Sequence, residues 1–187
     1  DANQSYMFCP NHTSMLDPFI LISMVKNPIV FVGKAELKKI PIFGFFYKRI
    51  CILVDRGSQV SRKEVYFSAK RRLKNGTSVA IFPEGLVPKE DIILSPFKNG
   101  AFSLAIEHQI PIVPATYYDC KRFFSWTFFK GSPGTIRIKQ HKPIPTKGLK
   151  AKNLKEIKEQ TFAILFNDLS NDKAYMKDTN RMIHERA

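Results

Sequence analysis

The sequence predicts an α/β fold, and three observations lead there. Short apolar runs rich in β-branched residues alternate with stretches of helical period. Two of those runs stop abruptly in polar turns, Asp55-Arg56-Gly57 and Pro83-Glu84-Gly85. Finally, the 187 residues contain no repeat, low-complexity tract or dividing linker. One domain spanning 1–187, with a sizeable core, is therefore expected.

The elements follow in order. Residues 14–25 read as a helix capped by Thr13 or Ser14, with Asp17 in the first turn, where a carboxylate is favoured. Pro18 suits a helix start better than an interior. Residues 29–32 read as a buried strand, and Lys34 to Lys39 as a short amphipathic piece. Residues 50–54 form a second strand. A helix over 59–74 carries the stripe Val65, Ala69, Leu73 and ends at Asn75-Gly76. Its other face holds Arg62, Lys63, Lys70, Arg71 and Lys74. Residues 77–82 are a third strand, 99–108 a short helix and 110–117 a fourth strand. Pro111 and Pro114 argue against a fully paired central strand there, although strand ends or an edge would tolerate them. The alternation over 135–140 predicts a one-face-exposed or edge strand. Leu154, Ile157, Thr161, Ile164 and Leu165 place a helix over 153–169, and a polar helix covers 171–185.

Composition sets the outer bounds. Hydrophobic residues make up 44% and charged residues 25%, a globular balance. Sixteen phenylalanines can fill a core, line a site for an apolar ligand or touch lipid. Thirty basic against sixteen acidic residues give +14, which attracts any polyanion: nucleic acid, anionic membrane or a phosphorylated substrate. Cys9, Cys51 and Cys120 lie far apart and form no CxxC pair, so reduced thiols in a cytosolic setting are expected. The four histidines do not cluster with them, and no metal is expected. No run reaches the ~20 apolar residues of a spanning helix, and no signal-peptide pattern is present. The chain opens at Asp1, which leaves room for an N-terminal membrane segment outside this sequence.

Four stretches can carry chemistry. In Asn11-His12-Thr13-Ser14-Met15-Leu16-Asp17, an imidazole can take a proton from a hydroxyl near neutral pH. It does so best when a carboxylate holds Nδ1–H and leaves Nε2 free. A spacing of five places His12 and Asp17 on different faces of a continuous helix. A His in the loop before the helix lets the carboxylate reach back instead. A capping Asp beside an unrelated loop His reads equally well. In Val54-Asp55-Arg56-Gly57, a charged pair follows a strand, where open α/β sheets bind ligands. Arg56 suits bidentate phosphate contact; a surface pair in a turn is the plainer reading. In Phe82-Pro83-Glu84-Gly85, Gly85 lets backbone approach a ligand, and Glu84 can accept from a substrate hydroxyl or orient Arg56. Ile110-Pro111-Ile112-Val113-Pro114-Ala115 reads as a wall that shapes a pocket.

Together these blocks resemble the lysophosphatidate (1-acyl-sn-glycerol-3-phosphate) acyltransferase family, whose members carry NHxSxxD, a later (V/I)DR, FPEG and a Pro-rich fourth block. Here they read NHTSMLD at 11–17, VDR at 54–56, FPEG at 82–85 and IPIVPA at 110–115. Lys34-Ala35-Glu36-Leu37 and Phe97-Lys98-Asn99-Gly100-Ala101 are also similar to the family. The match runs from residue 9 to about 118, so the last 70 or so residues add little. Where the family usually continues FPEG with Thr and polar or cationic residues, this chain has Leu86-Val87-Pro88.

The resemblance implies a mixed, mostly parallel central sheet flanked by helices. It implies His12 as general base and Asp17 as its orienting partner. Arg56 would bind the acceptor's phosphate. Glu84 and Gly85 would help hold the glycerol phosphate, Phe82 and Pro83 of the same block would also bind substrate, and Lys34 would meet phosphate or donor. The implied reaction moves an acyl group from acyl-CoA or acyl carrier protein to the sn-2 hydroxyl of lysophosphatidate, with no cofactor. Ser14 needs only a capping role. An anionic membrane surface is the expected partner, at the cytoplasmic face, met by the basic side of helix 59–74, the lysines of 147–158 and the aromatic run 123–129. Glycerol 3-phosphate, another lysophospholipid or an acyl-ornithine lipid are alternative acceptors, because of residues 86–88. A basic nucleic-acid-binding module explains the charge but leaves His12–Asp17 and FPEG without a role, and no nucleic-acid motif is present. A catalytically idle relative is disfavoured, since no position of the catalytic pattern is missing.

Overall fold

The computed structural model describes residues 4–55, 57–89, 91–124 and 131–184. Its strands are β1 Met7–Pro10, β2 Ile29–Lys34, β3 Cys51–Val54, β4 Ser78–Ala80, β5 Ile112–Tyr117 and β6 Ile138–Gln140. They form one sheet in the order β3-β2-β4-β1-β5-β6. The first five run parallel, and β6 lies antiparallel along β5. The helices are α1 Asp17–Met24, α2 Phe43–Ile50, α3 Gln59–Lys74, α4 Gly100–Glu107, α5 Cys120–Phe123, α6 Leu154–Asn171 and α7 Lys173–His184. This is the expected α/β architecture.

The strand period of two divides the core into halves. Met7, Cys9, Val30, Val79 and Ile112 face one cluster, packed with side chains of α3, α4 and α6. Phe8, Phe31, Ala80, Val113 and Tyr117 face the other, where Leu21 of α1 packs. Both faces of the sheet are covered, so its strands read as continuous apolar runs. The stripe on α3 behaves as expected: Val65, Ala69 and Leu73 are buried, and each larger aliphatic removed from water contributes about 1.5–3 kcal/mol. Ser58 caps α3 by accepting from the Ser61 N–H. Gly76, at φ 75°, ends the helix in the left-handed region.

Three elements are not legible from periodicity. β1 is four residues long and buried throughout, so it has no alternation to read. α2 hides behind a run of aromatics and a glycine. Gly44 is required because a Cβ there would lie 2.0 Å from the Lys38 carbonyl oxygen, and Ile42 enters the helix at φ 61°. α5 is a single turn.

Two local expectations need correction. Neither Thr13 nor Ser14 is the N-cap of α1. That position is Leu16, without a side-chain cap, and the capping runs backward from Asp17 to the loop before the helix. The Pro111–Pro114 stretch is also not an edge or a strand end alone. Pro114 sits inside β5, between β1 and β6, in register with Cys9. Its carbonyl accepts from the His141 N–H on the β6 side. A residue's N–H and C=O point to the same side of a strand, so the bond that Pro114 cannot donate is the reciprocal one to His141, just past the 115–117/138–140 ladder.

Candidate active site

Parallel strands send their carboxyl ends to one side of a sheet, and ligands of open α/β folds bind there. β1 delivers Asn11-His12, β2 ends at Lys34, and the turn 82–85 follows β4. Because β4 neighbours β1, His12 and Phe82 meet: their rings stack at 4.2 Å between centroids and 23° between planes.

The loop 11–16 is held by polar groups that are themselves buried. Asn11, fully buried, donates through Nδ2 to the Tyr117 carbonyl at 3.1 Å and accepts the Tyr117 N–H at 2.7 Å. This pins the end of β1 to the end of β5. Asp17, also fully buried, turns back over the loop. Its Oδ2 accepts the Thr13 N–H at 2.6 Å, the Ser14 N–H at 2.8 Å and lies 2.9 Å from His12 Nδ1. A carboxylate only accepts, so Nδ1 carries the proton and Nε2 keeps its lone pair. The His12 side chain is 20% exposed and lines a cavity. The two residues are therefore paired, as the motif suggested, through the reach-back geometry.

Glu84 accepts the His12 N–H at 2.7 Å through Oε1 and the Ser95 N–H at 2.8 Å through Oε2. At 2% exposure it does not face the cavity. It ties the His12 loop to the segment at 95. Burial pushes its carboxyl up to about 7, against the pull of those two N–H donors, and the nearby Asp17 charge adds to the rise. Around Asp17, burial first and then that same charge push the Cys120 thiol and the Tyr117 phenol up, so both stay protonated.

The cavity has a volume of ≈ 1080 Å³ and a mostly apolar lining from α1, β2, α2, α3, the 81–88 turn and α4. Phe82, Pro83, Gly85 and Lys34 line it. Arg56 falls outside the described residues. Ser14 is fully buried, donates to the Phe124 carbonyl at 2.9 Å, accepts the Leu16 N–H at 3.2 Å and does not line the cavity. Its hydroxyl fastens the loop. Asn11 and Lys98 were not singled out as site residues, although both lie inside matched blocks. Ser95 meets Glu84 through both its backbone N–H and its hydroxyl.

Comparison with known proteins places the chain. The family model described as Acyltransferase matches residues 1–118. The human 1-acyl-sn-glycerol-3-phosphate acyltransferase beta is 31% identical over 143 residues, covering 75% of this chain and 51% of that protein. The Saccharomyces cerevisiae 1-acyl-sn-glycerol-3-phosphate acyltransferase is 29% identical over 165 residues, 85% of this chain and 54% of that one. The chain thus spans about half the length of these curated relatives. The crystal structure of the 1-acyl-sn-glycerophosphate (LPA) acyltransferase PlsC from Thermotoga maritima superposes with a TM-score of 0.75 at 20% identity, over 92% of this chain and 69% of that one, and has the same fold.

Proposed function

This chain belongs to the acyltransferase family, and from that premise we propose that it transfers a fatty acyl group to the sn-2 hydroxyl of lysophosphatidate, giving phosphatidate. The observation that carries the reading is the His12–Asp17 pair at 2.9 Å, opening onto a cavity of acyl-chain character that also holds lysines. The names of the relatives support the acceptor.

The chemistry needs no covalent enzyme intermediate, because a thioester donor is already activated. The acceptor hydroxyl approaches Nε2 of His12 and gives up its proton as its oxygen bonds to the thioester carbonyl. Asp17 steadies the imidazolium that forms. Collapse breaks the C–S bond, and the proton passes from Nε2 to the departing thiolate. General-base action of this kind supplies roughly 10²–10⁴-fold, and alignment of two bound substrates about 7–11 kcal/mol. The donor is acyl-CoA or acyl carrier protein. Glu84 and Asn11 fix the backbone that carries the base, which keeps the ring from drifting by the ångström that costs rate.

The reaction takes place at an anionic membrane surface, on its cytoplasmic side. No helix among the described residues is long and apolar enough to cross a membrane. The cavity rim supports that reading: Met15, Phe19, Phe46 and Leu86 all line the cavity and are 44–59% exposed. Beside them Ile42 and Phe45 are exposed too, with Arg49 stacked 3.5 Å over Phe45 and Lys48 nearby. Apolar side chains ringed by cations suit an interface with acidic headgroups. This rim, rather than the basic side of α3 or the lysines of 147–158, is the better surface. Of the aromatic run 123–129, residues 125–129 lie outside the described residues.

An acyl-transfer assay with lysophosphatidate, run with both donor types and with His12→Ala as control, tests the function. Transfer to glycerol 3-phosphate or an acyl-ornithine lipid in preference to lysophosphatidate would reassign the acceptor. Sedimentation with anionic liposomes at low salt tests the surface, and absence of binding counts against it.

A further inference from the structure

We infer that Lys98 is a phosphate-binding, specificity-determining residue of this site. The inference rests on the acyltransferase reading above and adds a residue to which that reading gave no role.

Among the described residues lining the cavity, the charged side chains are Lys34 and Lys98. Neither ammonium has a hydrogen-bond or ion-pair partner among the described residues. Lys34 comes from the end of β2. Lys98 comes from the segment leading into α4, and its place is set by its own backbone, whose N–H donates to the Pro83 carbonyl at 2.8 Å. That bond fastens Lys98 to the same turn that presents Phe82 to His12, since Gly85 N–H closes the turn on the Phe82 carbonyl at 3.0 Å. The lysine stem then runs over Gly85. A Cβ at 85 would come within 2.8 Å of Lys98 Nζ and 2.9 Å of its Cδ and Cε. Gly85 also holds φ 78°, which disfavours a side chain. The positive φ is what requires glycine at 85, and the lysine tail occupies the space that its missing side chain leaves.

The chemistry of the acceptor selects this position. In lysophosphatidate the phosphate sits one carbon along from the carbon bearing the reacting hydroxyl, so its binding group must lie beside the base. Residues 86–88 are Leu, Val and Pro and cannot bind an anion through their side chains. An ammonium arriving from 98, fastened to the turn that stacks on His12, fills that role as a point charge.

The test compares Lys98→Met and Lys98→Arg with the unaltered chain on lysophosphatidate and on monoacylglycerol, which has the hydroxyl but no phosphate. Lys98→Met is expected to raise KM for lysophosphatidate about tenfold or more, with kcat within about threefold, and to leave monoacylglycerol turnover unchanged. Lys98→Arg should restore most of the KM. Lysophosphatidate binding is measured in parallel by calorimetry without donor, and thermal melts check folding. Equal loss on both acceptors, or unchanged lysophosphatidate affinity in Lys98→Met, overturns the inference. If the unaltered chain transfers no acyl group but binds lysophosphatidate, and Lys98→Met does not bind it, the acyltransferase reading fails while the phosphate site stands.

Discussion

Two carboxylate clusters in this molecule are built on different plans. Asp17 is fully buried, and its Oδ2 is answered by backbone dipoles and one imidazole. Asp119 and Asp172 instead clamp a guanidinium: Arg137 reaches Asp119 at 2.7 and 2.8 Å and Asp172 at 2.6 and 3.1 Å. Next to them Tyr118 bonds Asp168, which also pairs with Lys139 at 2.6 Å. In the second cluster the donors are committed, and they join the start of β6, the end of β5 and the α6–α7 junction. In the first, one nitrogen is left open toward the cavity. A network with every donor engaged holds a structure together; one that leaves a lone pair free at its rim can act on a substrate.

The contrast is sharpest under mutation. His12→Ala should lower acyl transfer by about 10²–10⁴ and leave the melting temperature nearly unchanged. A comparable fall in stability would make the pair structural and erase the distinction.

Titration separates the clusters by sign. Glu84 is raised from 4.5 to about 7 by burial, so between those values the folded state holds a proton the unfolded chain has released. Its contribution is fully present below about pH 4.5 and is lost as pH rises through 7, about 3 kcal/mol in all. Asp172, held low chiefly by Arg137, works the other way: its contribution is present above 3.8 and is lost as pH falls below it. Asp168 is also lowered, because Lys139, Tyr118 and His141 outweigh its burial. Urea unfolding from pH 4.5 to 7.5 should show stability declining, and Glu84→Gln should flatten that decline. A slope that survives the substitution would assign it to another group.

Arg137→Ala should cost about 2 kcal/mol, less than for a fully buried pair because the guanidinium is 45% exposed. Transfer per folded molecule should be retained, as measured by activity normalised to the folded fraction. Ser14→Ala should have the smallest effect, about 1 kcal/mol of stability and a fewfold loss of rate. Total loss of activity with an acyl group trapped on Ser14 would replace direct attack by a covalent route.

Much of this was readable in the residues, for reasons that differ by position. The buried face of α3 follows from the Val65–Ala69–Leu73 stripe and its end from Asn75-Gly76, both local signals. The His12–Asp17 pair was readable because five residues spanning a loop and a first helical turn permit one compact closure. For Glu84, residue type shows that a carboxylate is present but not which way it points. Its partners are main-chain N–H groups 72 and 11 positions away. β1 escaped because strands buried on both faces lose the alternation that marks a strand. The rim on α1 and α2 was hidden in the same way: an aromatic-rich, glycine-containing run looks like core until the fold exposes it.

The place of β1 in the sheet has a consequence for how the molecule assembles. Its pairing partners, Val79 and Ile112 for Met7, come far later in the chain. Asn11 waits for Tyr117, 106 positions on. On a ribosome the segment bearing the proton acceptor is therefore written early and set in place late, after the loop-closure entropy of the intervening hundred or so residues has been overcome. Activity should consequently be among the last properties to appear on refolding, well after helical signal has returned.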